Sequence, residues 1–401
     1  MWTLNPPNSL YELTVIGGFV EVFLAKEGHR NPVGINLLEK IQMPNTSTLY
    51  GAMLAGVDYV FMGAGIPMQI PGILDGLAKH QPMSYRVDVE EADAVEEHRI
   101  YFDPEAVFPG IAQKVGPLKR PHFIPIISSV VLARALLKRA SGEIKGFMIE
   151  LPIAGGHNAP PRGPLNLNEA HEPIYGEKDV VDLEKMKELD LPFWLAGGYD
   201  TPERLQAALD AGAQGVQVGT SFAYCNESGM TDWVKRSVIR KVLRQEAKVR
   251  TSITASPTGF PFKVVQLEGS VSEADVYEAR PRCCDIGLLQ HLYKKDNDKV
   301  GYRCPSEPVD TYLAKGGAGE DTVGRVCLCN GLMAKAGFLQ RRKNGFVEPV
   351  VVTSGDELVN IGRFVKPGAA GYSAKDVIDY LRGEPELGSV LALPHREPAV
   401  V

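Results

Sequence analysis

Short apolar runs alternate with amphipathic stretches from about residue 30 to 265, the pattern of strands and helices taken in turn. Residues 31–38, 57–62, 123–128, 147–153, 193–196 and 215–219 read as strands. Residues 49–56, 70–80, 130–140, 183–189 and 201–211 read as the intervening helices, with a further helix at 233–247. Thr201 is a capping residue, Pro202 suits the first helical position, and Gly212 suits the stop. Mostly apolar strands joined by helices predict a parallel sheet covered on both faces. Such a repeat builds either an open doubly wound sheet or a closed barrel. Glycine-rich or polar residues at several successive strand ends favour the barrel, whose loops converge on one mouth. The expectation is therefore a TIM-type (β/α)8 barrel over residues 1–270. An inserted hairpin at about 83–122 is predicted from the alternation of Tyr85–Val89 and His98–Phe102, and a mainly helical C-terminal lobe over 271–401. One extended segment is expected within that lobe, at 349–353.

Three of the strand ends carry the candidate chemistry. Ala154-Gly155-Gly156-His157 closes the 147–153 run, Gly197-Gly198 closes 193–196, and Gly219-Thr220 closes 215–219. Glycines let backbone amides approach an anion, and Thr220 adds a hydroxyl. A lone glycine pair would more simply allow a tight turn; its recurrence on neighbouring strands favours a phosphate cradle. His157 follows such a pair at once and is the candidate catalytic group. His171-Glu172 is not a zinc-binding H-E-x-x-H motif, because position 175 is Tyr175. It lies in a long segment, 158–181, rich in proline and asparagine, which reads as a lid. Asn36 suits the edge of a planar ring. Glu150, inside an apolar strand, reads as a paired buried carboxylate with no assigned role.

Composition narrows the classes. The 401 residues are 44% hydrophobic and 23% charged, with a formal net charge of -6. That balance argues against nucleic-acid and anionic-membrane partners, which need a basic face. No apolar run is read as reaching the ~18 residues of a membrane span, and no signal-type core opens the chain, so a cytoplasmic location is expected. Five of the six cysteines fall late, Cys283, Cys284, Cys304, Cys327 and Cys329, without zinc-ribbon or ferredoxin spacing. They read as reduced structural thiols, with no metal expected.

Gly34-Ile35-Asn36, the Gly63-Ala64-Gly65-Ile66-Pro67 turn, Ala154-Gly155-Gly156-His157, Leu195-Ala196-Gly197-Gly198 and the block 208–220 ending Val218-Gly219-Thr220 occur in one order. In that order they resemble the nitronate monooxygenase family, FMN-dependent barrels also called 2-nitropropane dioxygenases. Residues 251–260 look like that family's last barrel strand and turn, so the likeness covers about residues 30–270. The resemblance implies FMN, bound through Asn36, Gly65, Gly155, Gly156, Gly197, Gly198, Gly219 and Thr220. It implies His157 as the base or nitronate-positioning group, and oxidation of an alkyl nitronate by O2. Self-association to a homo-oligomer is left open. Three departures stand out. Ile153 and Ile126 occupy positions where many members carry an acid and some a lysine, which favours a bulkier or acyl substrate. The family's opening strand also has no counterpart before Gly34, so a barrel lacking its first strand, through N-terminal truncation or a late start, is expected. Two alternatives are an FMN-dependent enoyl-thioester reductase using NAD(P)H, and a flavin-free truncated barrel acting as a binding partner.

Overall fold

The computed structural model describes residues 1–93 and 95–383. The strands are β1 (Gly34–Leu38), β2 (Tyr59–Gly63), β3 (Met83–Val87), β4 (Val89–Glu90), β5 (His98–Phe102), β6 (His122–Ile127) and β7 (Phe147–Glu150). They continue as β8 (Phe193–Ala196), β9 (Gly215–Gln217), β10 (Val249–Ser252), β11 (Phe262–Val265), β12 (His291–Lys294) and β13 (Val300–Arg303). Contacts divide the chain into two compact units. The first comprises Met1–Met148, Glu184–Pro192 and Gly287–Arg303, and the second Ile149–Leu183, Phe193–Ile286 and the described residues from Cys304 on.

In the first unit β1 pairs in parallel with β2, and β2 with β6. The Lys145 amide then reaches Phe123 O and the Phe147 amide Pro192 O, carrying the sheet to β7. The unit boundary falls inside β7. In the second unit the Leu151 amide bonds Ala196 O, and β8 pairs in parallel with β9. The parallel order is β1-β2-β6-β7-β8-β9. The described residues thus give an α/β fold with six parallel strands in one sheet, not a closed ring of eight.

The correction lies mainly at 251–260. Val249–Ser252 does not extend the parallel sheet but pairs antiparallel with Phe262–Val265, Thr251 opposite Lys263. No helix separates the two. Pro257 and Gly259, the latter with φ +79, reverse the chain directly, so the second arm returns antiparallel. At the other end β1 is an edge strand of the described sheet.

The expected hairpin forms, β3 pairing antiparallel with β5. Beyond it β4 pairs with β12, and β12 with β13, so a piece of chain expected in the helical lobe joins the first unit. Arg303 secures that join, its guanidinium 2.8 Å from Glu90 and 2.7 Å from Glu91. The rest of the described chain to residue 383 carries several short helices between irregular stretches, and 349–353 is extended, its Val352 carbonyl accepting from the Val265 amide.

The helix Asn8–Lys26 corrects a second expectation. Among the described residues it is long and apolar enough, by length and composition, to cross a membrane. It also buries Tyr11, Val15, Gly18 and Val22, and it packs on the helix Asn45–Leu54. Gly18 permits that crossing, since a Cβ there would sit 2.5 Å from Thr48 O.

In the second unit the core gathers Tyr224, Val234, Val238 and Val242 with Val265, Val352, Leu358, Phe364 and Tyr372. The 3-10 helix Asp356–Phe364 is therefore part of this core, and so is fixed in front of the strand ends described next.

Candidate active site

β7 stops at Glu150, three residues earlier than its apolar run suggests, and the chain turns through Ile153 to His157. Two backbone bonds tie this turn to the β10–β11 hairpin: the Lys263 amide donates to Gly156 O (3.0 Å), and the Asn158 amide donates to Pro261 O (2.9 Å). The returning arm of the β10–β11 hairpin therefore positions the histidine. His157 Nε2 lies 2.7 Å from Ser256 Oγ, which in turn lies 2.8 Å from Thr258 Oγ1. Its ring packs against Phe262 at 4.8 Å between centroids. Burial holds the imidazole down to about 4, so it is neutral at pH 7. With Nε2 engaged by Ser256, Nδ1 is the nitrogen left for another molecule.

Glu150 differs from its expected pairing. Its carboxyl makes no hydrogen bond or ion pair among the described residues, and burial raises it to about 8. An uncompensated carboxylate is costly in such surroundings, so the group is protonated at neutral pH.

Gly197 and Gly198 take φ +91 and +78, the left-handed region that favours glycine. A Cβ on Gly198 would meet Ile153 Cδ1 at 2.5 Å and the Arg204 guanidinium at 2.6 Å. Gly219 is different: its φ is -108 and a Cβ there would meet nothing within 4 Å. Open space at Gly219, beside the Thr220 hydroxyl, is what a phosphate would need, and in this respect the residues fit FMN.

Gly155 has another neighbour. A Cβ there would lie 2.7 Å from Gly355 N and 2.8 Å from Ser354 C. Residues 353–357 cross this turn: the Gly156 amide donates to Thr353 Oγ1 (2.9 Å), and the Gly355 amide to Thr220 Oγ1 (3.0 Å). The Asp356 amide donates to Ile153 O (3.0 Å). Lys263, almost wholly buried, holds the Asp356 carboxylate at 2.8 Å. Arg204 holds Glu357 at 2.9 Å and also donates to Gly198 O. None of these C-terminal residues was singled out from the sequence. The one signal available was the glycine in Ser354-Gly355-Asp356, placed directly after an extended run.

The structure thus brings His157, Gly155, Gly156, Gly197, Gly198, Gly219 and Thr220 onto one unit. Asn36 and Gly65 lie in the first unit. Asn36 is exposed on β1. Gly65, at φ +146, is backed by Glu39, whose carboxylate fills the space a side chain would take. Tyr85 donates to that carboxylate at 2.9 Å, and burial pushes Glu39 up. The 158–181 segment is tied at Glu172, which accepts from the Thr251 amide at 2.6 Å, and at Ala170 O, which accepts from Arg250. Burial pushes Cys283 up to about 11 and Cys284 to about 12, keeping both as thiols. Among the described residues no group of three or more His, Cys, Asp or Glu is arranged to hold a metal ion.

Residues 105–269 match the family model for nitronate monooxygenase, so the resemblance read from the sequence holds over that stretch. It contains His157 and the three glycine-bearing strand ends, but not Asn36, Gly65 or the 353–357 crossing. A nitronate monooxygenase from Paraburkholderia phytofirmans is 26% identical over 195 residues, 48% of this chain and 50% of that protein. A Rhodococcus jostii protein named (3aS,4S,5R,7aS)-5-hydroxy-7a-methyl-1-oxo-octahydro-1H-indene-4-carboxyl-CoA dehydrogenase is 28% identical over 145 residues, 36% of this chain and 35% of that one. The matched stretches span about a third to a half of these relatives. Among solved structures, FabK from Thermotoga maritima gives a TM-score of 0.46 at 15% identity, covering 92% of this chain and 88% of that one. The enoyl reductase domain of MlnA from Bacillus amyloliquefaciens gives 0.48 at 12%, covering 95% and 85%.

Proposed function

We propose that the chain is an FMN-dependent oxidoreductase of the nitronate monooxygenase type, its six-stranded sheet being an incomplete (β/α)8 barrel. The observation that carries this reading is the pairing of a neutral, oriented His157 with an open glycine–threonine corner on the same unit. Both lie within the residues that match the family model. FMN would be held by its phosphate at Gly197, Gly198, Gly219 and Thr220, and when bound it would supply the redox chemistry. The protein's part is to orient and to manage protons. Ser256 holds Nε2 of His157, leaving Nδ1 to accept a proton from a carbon acid or to hold a nitronate oxygen. Phe262 packs edge-on against the ring, with Phe260 farther out at 6.5 Å between centroids.

An acyl-thioester substrate is the second reading, and Ile153 favours it. This residue stands where many family members carry an acid, and its Cδ1 packs toward Gly198 beside the Arg204–Glu357 pair, an aliphatic group in place of a carboxylate. The relative named as a carboxyl-CoA dehydrogenase agrees with that direction.

Oxygen uptake and NAD(P)H consumption separate the two. Uptake with an alkyl nitronate supports the first reading; NAD(P)H oxidation with an enoyl thioester, and no uptake with nitronate, supports the second. A colourless protein that cannot be reconstituted with FMN defeats both and favours a flavin-free binding partner.

A further inference from the structure

We propose that residues 353–357, contributed by the C-terminal chain, complete the phosphate corner by fixing the direction of the Thr220 hydroxyl proton. This rests on the flavin reading above. The Gly355 amide donates to Thr220 Oγ1 at 3.0 Å, and that oxygen has no other partner among the described residues. A hydroxyl that accepts from an amide keeps its own proton as a donor, and the incoming bond polarises it. The proton is then available to an oxygen of a phosphate monoester beside Gly219. Without Gly355 the hydroxyl would rotate freely and serve as acceptor or donor alike, an arrangement less suited to an anion.

The approach is built for closeness. Gly355 has φ -75 and ψ 168, a conformation any residue adopts, so its glycine is there for room. A Cβ on it would sit 2.8 Å from both Ile153 O and Thr220 Oγ1, and 3.2 Å from Gly155 N. Gly155 is the matching vacancy on the other side. The crossing is then clamped to three elements: the turn after β7 (Thr353 to Gly156 and Asp356 to Ile153), β11 (Asp356 to Lys263) and the helix Pro202–Asp210 (Glu357 to Arg204). Lys263 and Arg204 also neutralise the two carboxylates, so the crossing brings no unpaired negative charge to a phosphate site. The corner is therefore incomplete in residues 105–269 alone.

Riboflavin lacks the phosphate, so the affinity ratio of FMN to riboflavin isolates this corner. Fluorescence titration of the full chain should give tighter binding of FMN than of riboflavin. In Gly355→Ala the FMN affinity should fall about tenfold, one charge-assisted hydrogen bond, with riboflavin affinity unchanged. Thr220→Val should behave alike, and Thr220→Ser should restore the preference. If Gly355→Ala fails to fold by circular dichroism, Thr353→Val loosens the same crossing without adding bulk and should lower the ratio in the same direction. A folded Gly355→Ala or Thr353→Val protein with the wild-type ratio overturns the proposal while leaving the flavin reading intact. Wild-type protein that binds neither flavin removes both.

Discussion

Replacing Gly155 by alanine tests the crossing of the 353–357 segment without touching a titratable group. Gly155 lies outside the left-handed region, so alanine meets no conformational penalty, and the whole effect is steric. The added methyl would stand 2.7 Å from Gly355 N and 2.8 Å from Ser354 C, both main-chain atoms that no rotamer change can move. Restoring ordinary contact, which begins near 3.4 Å, needs a displacement of about 0.6–0.7 Å. Three hydrogen bonds of 2.9–3.0 Å cross this contact, from the Gly156, Gly355 and Asp356 amides. Stretched by that amount they pass beyond hydrogen-bond length. At about 1 kcal/mol net each, the segment loses about 2–3 kcal/mol of local stability. Amide hydrogen exchange reads this directly: Gly355 and Asp356 should exchange about 30- to 160-fold faster in Gly155→Ala. Rates within about threefold of wild type would mean that the crossing does not bear on Gly155, and the steric reasoning would fail.

Other outcomes follow from the same geometry. His157→Asn should lower turnover by about 10²–10⁴-fold while leaving FMN bound, checked by steady-state kinetics and the flavin spectrum. Gly219→Val should fold normally, because its Cβ meets open space, yet should lose bound FMN; retained stoichiometric flavin would refute the phosphate assignment. Because burial lowers His157 to about 4, the acid limb of the kcat/KM profile should fall near pH 4 rather than near the ordinary histidine value. The same shift makes protonation favour the unfolded chain, so this group's contribution to stability is present above about 6.5 and is lost as pH falls toward 4. Glu150 works in the opposite sense. Raised to about 8, its contribution is present below the usual carboxylate range and is lost as pH rises toward 8, a slope that Glu150→Gln should abolish in urea melts.

Local patterns were legible where neighbours in sequence settle them. Strand ends bearing glycine announced the turns at Gly156, Gly197 and Gly198, each of which takes a positive φ. The β3–β5 hairpin was visible in its alternation. What stayed hidden depends on distant chain. Gly155 reads as a ligand-facing glycine until Gly355, two hundred residues on, is seen against it. Glu150 reads as half of an ion pair, because a buried carboxylate usually has a partner; among the described residues it has none, and burial raises its pKa instead. The 251–260 stretch carries strand propensity, which does not encode whether the partner runs parallel or antiparallel. No apolar run was read as long enough to span a membrane, because the charges at Glu12 and Glu21 interrupt the stretch, yet as the single helix Asn8–Lys26 it passes by length and composition. The late cysteines gave no functional signal in either view.

The central claim is that the glycine–threonine corner and His157 serve a bound flavin. Its most direct test is the visible spectrum of the purified full chain, before and after incubation with FMN and removal of the excess. The account predicts a yellow protein carrying one FMN per chain, bleached under anaerobic conditions by its reducing substrate. A folded protein that stays colourless after reconstitution would contradict it.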